Sequence, residues 1–182
     1  MRRSKVNALL FLFPFSGMLV LAQTARFDAK HPPRFEDFPV ADTWDQQRAP
    51  LKLVTSSERM FRTQLTNAAK EKPNFAGHYR IAMWGCGSNC AAGALIDLET
   101  GAVFQPPRAT PNATGWDHWI IGAGMMADAA IAFFVNSRLV VVKGGLNYSE
   151  TLNTNVPDVY YFVWEQNRFR QLLFISGKQP ER

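Results

Sequence analysis

Two cysteines, Cys86 and Cys90, flank Gly87-Ser88-Asn89, and the chain has no others. Three chemistries use such a pair. As a disulfide it closes a short loop, since extended segments on either side bring facing Cα atoms into the range of about 4.4 to 6.8 Å that a bridge spans. As a nucleophile, one thiol needs a base or a positive field to ionise near neutral pH. His78 or His118, oriented by Asp97 or Asp117, are the partners available. As zinc ligands, C-x-x-x-C has an allowed spacing, and His78 with His118 would complete a Cys₂His₂ set. The disulfide is the preferred reading. The second half of a zinc site, two histidines at short spacing, is absent, neither cysteine opens a recognisable helix, and a neighbouring thiol traps the first as a bridge in an oxidising compartment. No metal and no cofactor are expected.

The bridge would hold Gly85 to Asn89 in one shape and present backbone N–H groups with two small polar side chains, Ser88 and Asn89, flanked by Trp84 and His78. A second group, Trp116-Asp117-His118-Trp119, could stack and hydrogen-bond a sugar or aromatic ligand, because pockets combine apolar walls with a few polar groups. The competing reading buries those indoles and has Asp117 and His118 close loop hydrogen bonds. Gly144-Gly145-Leu146-Asn147 reads as a turn first, and Met125-Met126 as core filling. Asp97 and Asp117 are the carboxylates considered for acid/base work.

These residues must be positioned by a chain of 182 residues that is 47% hydrophobic and 19% charged, which excludes disordered, collagenous and polytopic membrane classes. Arg2, Arg3 and Lys5 precede an apolar run from Ala8 to Ala22, and Val20 and Ala22 stand where a signal peptidase requires small residues. Residues 1–22 are therefore expected to be a secretory signal, cut before Gln23. The run is shorter than the roughly 20 residues a spanning helix needs, and Pro14 breaks it, so no membrane span is expected after cleavage. Much of the net charge of +5 belongs to this segment. No Lys/Arg cluster remains to mark a nucleic-acid partner.

Residues 23–50 carry Pro32, Pro33, Pro39 and Pro50 and show neither helical nor alternating period, so they read as an extended lead-in with Phe27, Phe35, Phe38 and Trp44 tucked into grooves. Residues 51–182 read as one α+β domain. Thr55 and Glu58 form a capping box for a helix over 56–71, with Phe61, Leu65, Ala68 and Ala69 on one face and Glu58–Arg62 as an i,i+4 pair. Strands follow at 78–84, 91–98, 98–104, 131–135, 139–142, 159–164 and 169–175. Gly101 supplies a left-handed turn, and Asn136-Ser137 and Gln166-Asn167 supply two more. The expected architecture is an antiparallel β-meander, a curled sheet or small barrel, packed against one N-terminal helix. Residues 105–130 receive no assignment.

The stretches Asn74-Phe-Ala-Gly-His-Tyr79, Trp84-Gly-Cys-Gly-Ser-Asn-Cys90 and Ile96-Asp-Leu-Glu-Thr-Gly101 resemble an uncharacterised family of short exported bacterial proteins. The resemblance is close over residues 74–104. It implies an envelope origin, periplasmic or secreted, and brings no catalytic residues. The resulting expectation is a non-catalytic binding module, of the inhibitor or immunity type, that presents its disulfide loop to an envelope protein or glycan. The alternative is a small secreted hydrolase using Cys86 with His78, or Asp97 with Asp117.

Overall fold

The computed structural model describes residues 27–41, 44, 46–87, 90–106, 131–143 and 158–177, without the side chains of 86–91. Residues 1–22, expected to be a signal, the group Trp116-Asp117-His118-Trp119, and Ser88 and Asn89 lie outside the described residues.

The helix begins as its capping box dictates. The Thr55 hydroxyl accepts the Glu58 N–H, and the Glu58 carboxylate accepts the N–H groups of Thr55 and Val54. These bonds satisfy donors that the first helical turn leaves without partners. One correction concerns continuity: the expected single helix is two, α1 (Ser56–Met60) and α2 (Arg62–Ala69), broken at Phe61. There the backbone leaves helical geometry (φ −97°, ψ 23°), and the Phe61 ring packs 5.0 Å from that of Trp84. Glu58 is buried in its capping role, and no Glu58–Arg62 ion pair is present among the described residues.

Among the described residues seven strands follow: β1 (Tyr79–Gly87), β2 (Cys90–Asp97), β3 (Val103–Phe104), β4 (Ile131–Phe133), β5 (Leu139–Lys143), β6 (Val159–Glu165) and β7 (Arg168–Ile175). All pairings are antiparallel, as expected, but the single meander divides into two sheets, ordered β1-β2-β3 and β4-β5-β6-β7. No barrel closes. The physical reason is that the first sheet is apolar on both faces, so it must sit between two layers. Ile81 and Leu95, partners in the register, face the second sheet and pack with Val140, Val142, Phe162 and Trp164. Ala82, Ala94 and Ile96 face the other way, on to Leu65, Phe61, Leu51, Leu53 and the lead-in residue Trp44. Alternation along a strand produces this two-sided burial.

Phe75, fully buried, has its ring centroid 6.4 Å from Phe133 on β4 and 6.1 Å from Phe169 on β7, so both outer strands of the second sheet reach one side chain. The β6–β7 hairpin turns at Gln166 and Asn167, both left-handed (φ 50° and 58°), as a two-residue hairpin requires.

The lead-in lies on the domain and fastens at two places. Near its start, Pro39 bridges to Ser137, whose hydroxyl donates to the carbonyls of Phe35 and Phe38, and the Arg138 N–H also bonds Phe38. Near its end, Ala49 and Lys52 donate to the carbonyls of Leu98 and Gly101. The first site is the β4–β5 turn and the second the β2–β3 turn, so the lead-in ties the two sheets together. Gly101 is needed twice over: its φ is 76°, and a Cβ there would stand 2.0 Å from the Pro50 carbonyl oxygen.

Candidate functional site

The ends of the β1–β2 hairpin hold different chemistry. Cys86 and Cys90 belong to the loop end, where Gly87 pairs with Cys90 and the register shifts between Gly85 and Gly87. His78 and Asp97 belong to the other end, where Tyr79 pairs with Asp97. Eight residues of extended chain separate His78 from Cys86, roughly 25 Å at the rise of a β-strand. The thiol and the imidazole are therefore at opposite ends of one strand, and the same distance separates His78 from any zinc set built on the cysteines.

At the turn end, His78 Nε2 lies 3.7 Å from Asp97 Oδ1 and 3.8 Å from Glu99 Oε2, and one donor atom from each residue lies within 4.8 Å of the others. By residue type this trio could hold a divalent cation. The oxygens of Asp97, however, already close the turn: Oδ1 accepts the N–H groups of Glu99 and Thr100, and Oδ2 accepts the Thr100 hydroxyl at 2.7 Å. The carboxylate is buried and satisfied as a turn group. His78 is partly exposed, its ring 4.1 Å from that of Tyr79. Burial pushes the Tyr79 hydroxyl above its ordinary range, against an opposing hydrogen bond with Trp164, and the neighbouring carboxylates of Asp97 and Glu99 push the same way as burial.

Two of the three motif stretches, Asn74–Tyr79 and Ile96–Gly101, are absorbed by this end of the fold. The Asn74 side chain exchanges two hydrogen bonds with the Ile81 backbone, copying a strand neighbour. Ala76 and Gly77 are left-handed (φ 43° and 83°) and hook the chain to the β4–β5 turn through their N–H groups. Phe75, Tyr79 and Ile96 are core residues. Trp84, a candidate for binding, packs with Phe61 on the helix side of the first sheet, its indole nitrogen buried without a partner.

A second concave region was not read from the sequence. Where β3 ends the first sheet, the inner face of β6 and β7 continues beyond it, leaving a cleft of about 900 Å³. Its apolar wall is Phe104, Trp164 and Phe169, with Phe104 and Trp164 edge to face at 5.1 Å and Trp164 to Phe169 at 4.8 Å. Gln105 and Gln171 supply polar groups, whereas Arg168 and Arg170, which alternate with Phe169 and Gln171 and pair with Glu165 and Val163, turn to the opposite face of the sheet. The side chain of Arg170 pairs with Glu165, which this bond holds below the usual carboxylate range, aided by the nearby charges of Arg138 and Arg168. The local signal was Arg-Phe-Arg directly after a turn. It reads as strand alternation because the cleft needs β3, distant in sequence, as its other wall.

Among the described residues no helix is long and apolar enough to cross a membrane. No family model, curated protein or solved structure matches the chain.

Proposed function

We propose that the chain is exported by its N-terminal signal and acts in the periplasm or outside the cell as a non-catalytic binding module, of the inhibitor or immunity type, with Cys86 and Cys90 bridged. The observation that carries the binding reading is the cleft between the sheets. It joins a wall of aromatic side chains to a few polar groups at its rim, the composition of a recognition site. The disulfide loop, at the other end of β1 from His78, is a second presented element. The hydrolase reading has less support: its thiol and imidazole sit at opposite ends of a strand, and Asp97 has its oxygens occupied by turn donors. Nucleophile and base need to share a hydrogen bond.

The test places a photo-cross-linking residue at Gln171, exposed in the cleft, in the exporting cell. An envelope adduct that disappears when Gln105→Trp obstructs the cleft is the expected result. Turnover in a hydrolase substrate panel, abolished by Cys86→Ser or His78→Ala with unchanged thermal melts, would replace binding by catalysis. Mass spectrometry should find Gln23 as the first residue of the exported protein. Thiol titration of denatured, unreduced material should find no free cysteine.

A further inference from the structure

Resting on the reading of the cleft as the binding face, we infer that its ligand is a neutral oligosaccharide of the cell envelope, held with its ring faces against Phe104 and Phe169 and its hydroxyls on Gln105, Asn167 and Gln171.

The strand register puts an aromatic surface and an amide on one face. Trp164 pairs with Phe169 and Phe162 with Gln171, so the Gln171 side chain projects beside the Phe169 ring, on the side of β6 and β7 that carries Trp164. Trp164 is 4% exposed and Phe162 1%, which makes them the floor of the cleft. Phe104 and Phe169, both half-buried, stand against Trp164 as flanks, at 5.1 and 4.8 Å between ring centroids, and offer the ring surface that a ligand can reach. The negative face of an aromatic ring attracts groups with partial positive charge. The C–H face of a pyranose is such a group, flat and of similar breadth.

The polar groups select the ligand. Gln105, Asn167 and Gln171 line the cleft at exposed positions, and each carboxamide both donates and accepts, as a sugar hydroxyl does. Two neighbouring hydroxyls can therefore satisfy both ends of one amide. Thr55, also exposed, adds a hydroxyl to the same lining. The charged side chains of the described lining are engaged or turned away. The buried Glu58 carboxylate accepts the Val54 and Thr55 N–H groups, while Arg168 and Arg170 alternate with Phe169 and Gln171 and face the other side of the sheet. A charged ligand would lose its hydration against these groups without gaining a counter-charge from them, whereas a neutral polyol exchanges hydrogen bonds with water for hydrogen bonds with amides. The volume of about 900 Å³ lies in the range of small-molecule clefts and gives room for a short run of sugar rings.

The test is isothermal titration calorimetry of the purified exported protein with triacetylchitotriose, cellotriose and maltotriose. Saturable binding of at least one is expected. Gln171→Ala should weaken it several-fold, the worth of a neutral hydrogen bond, and Gln105→Trp should abolish it, with melting temperatures unchanged. The permethylated form of the bound trisaccharide keeps the rings and loses every hydroxyl donor, so it should not bind. No saturable heat with any of the three at millimolar concentration overturns the inference. So do equal affinity for the permethylated form, tighter binding of trigalacturonate than of the neutral sugars, and affinity unchanged in Gln171→Ala. Cross-linking at Gln171 separates the two levels of failure. An adduct lost in Gln105→Trp but undiminished by saturating trisaccharide keeps the binding cleft and removes the sugar. The absence of any such adduct removes both.

Discussion

The turn end of the β1–β2 hairpin and the cleft beside β3 invert what their residues suggest. The turn end holds His78, Asp97 and Glu99, the types that build metal and acid/base sites, yet Asp97 is bonded to its own turn and Gly101 is pressed against Pro50. The cleft holds ordinary strand residues, yet they converge as an aromatic wall with a polar edge. A hydrogen-bonded carboxylate is a structural part, whereas exposed polar groups beside an aromatic wall have binding capacity left over. Engagement, rather than residue type, separates the two regions.

That contrast predicts large stability losses at the turn end and small ones at the cleft. Phe75→Ala should be the most damaging, at about 3–5 kcal/mol for an aromatic deleted from a full core, because both outer strands of the second sheet close on that ring. Denaturant unfolding measures it, and a loss under about 1 kcal/mol would mean that the ring does not anchor the outer strands of that sheet. Gly101→Ala should cost about 1–3 kcal/mol in backbone strain alone, with further loss from the clash with Pro50. Its particular signature is release of the lead-in, read as new proteolytic cleavage within residues 46–52.

Asp97→Ala should cost about 1–3 kcal/mol, the penalty for orphaning turn donors that it satisfies. If metal titration instead shows His78, Asp97 and Glu99 binding a divalent ion, with affinity lost in Asp97→Ala, the turn end is a site and the comparison fails. Gln171→Ala, at an exposed position of the cleft, should change stability by less than about 0.5 kcal/mol in the same unfolding measurement. The smallest effect concerns pH. Glu165 is held below its ordinary range chiefly by its hydrogen bond with Arg170, so this pair's contribution is present above the ordinary glutamate pKa and fades as pH falls through the lowered one. Because both partners are substantially exposed, Glu165→Gln should remove no more than about 1 kcal/mol near neutral pH. The difference from wild type should vanish below that window.

Much of the local structure was legible. Thr55 and Glu58 specify a helix start because capping is a contact between residues three apart. Gly101 and the Gln166-Asn167 pair specify turns because few conformations reverse a chain so tightly. Strand positions followed from alternation and β-branched content. The break at Phe61 was not legible, since it accompanies packing on Trp84, a residue of another element. Nor was the division into two sheets, which depends on which apolar face of β1 and β2 meets which layer.

The sequence by itself determined the capped helix start, the seven strands, the tight turns and the apolar alternation of β1 and β2, all of which are set by interactions among residues close in the chain. Only the tertiary structure decided that His78 lies far from Cys86, that Asp97 is consumed by its own turn, and that Phe104 meets Trp164 and Phe169 across a cleft. The reason is physical: a turn is selected by local backbone energetics, whereas a cleft is the space left when separate strands bury their faces against one another, and that space is a property of the packing of all of them.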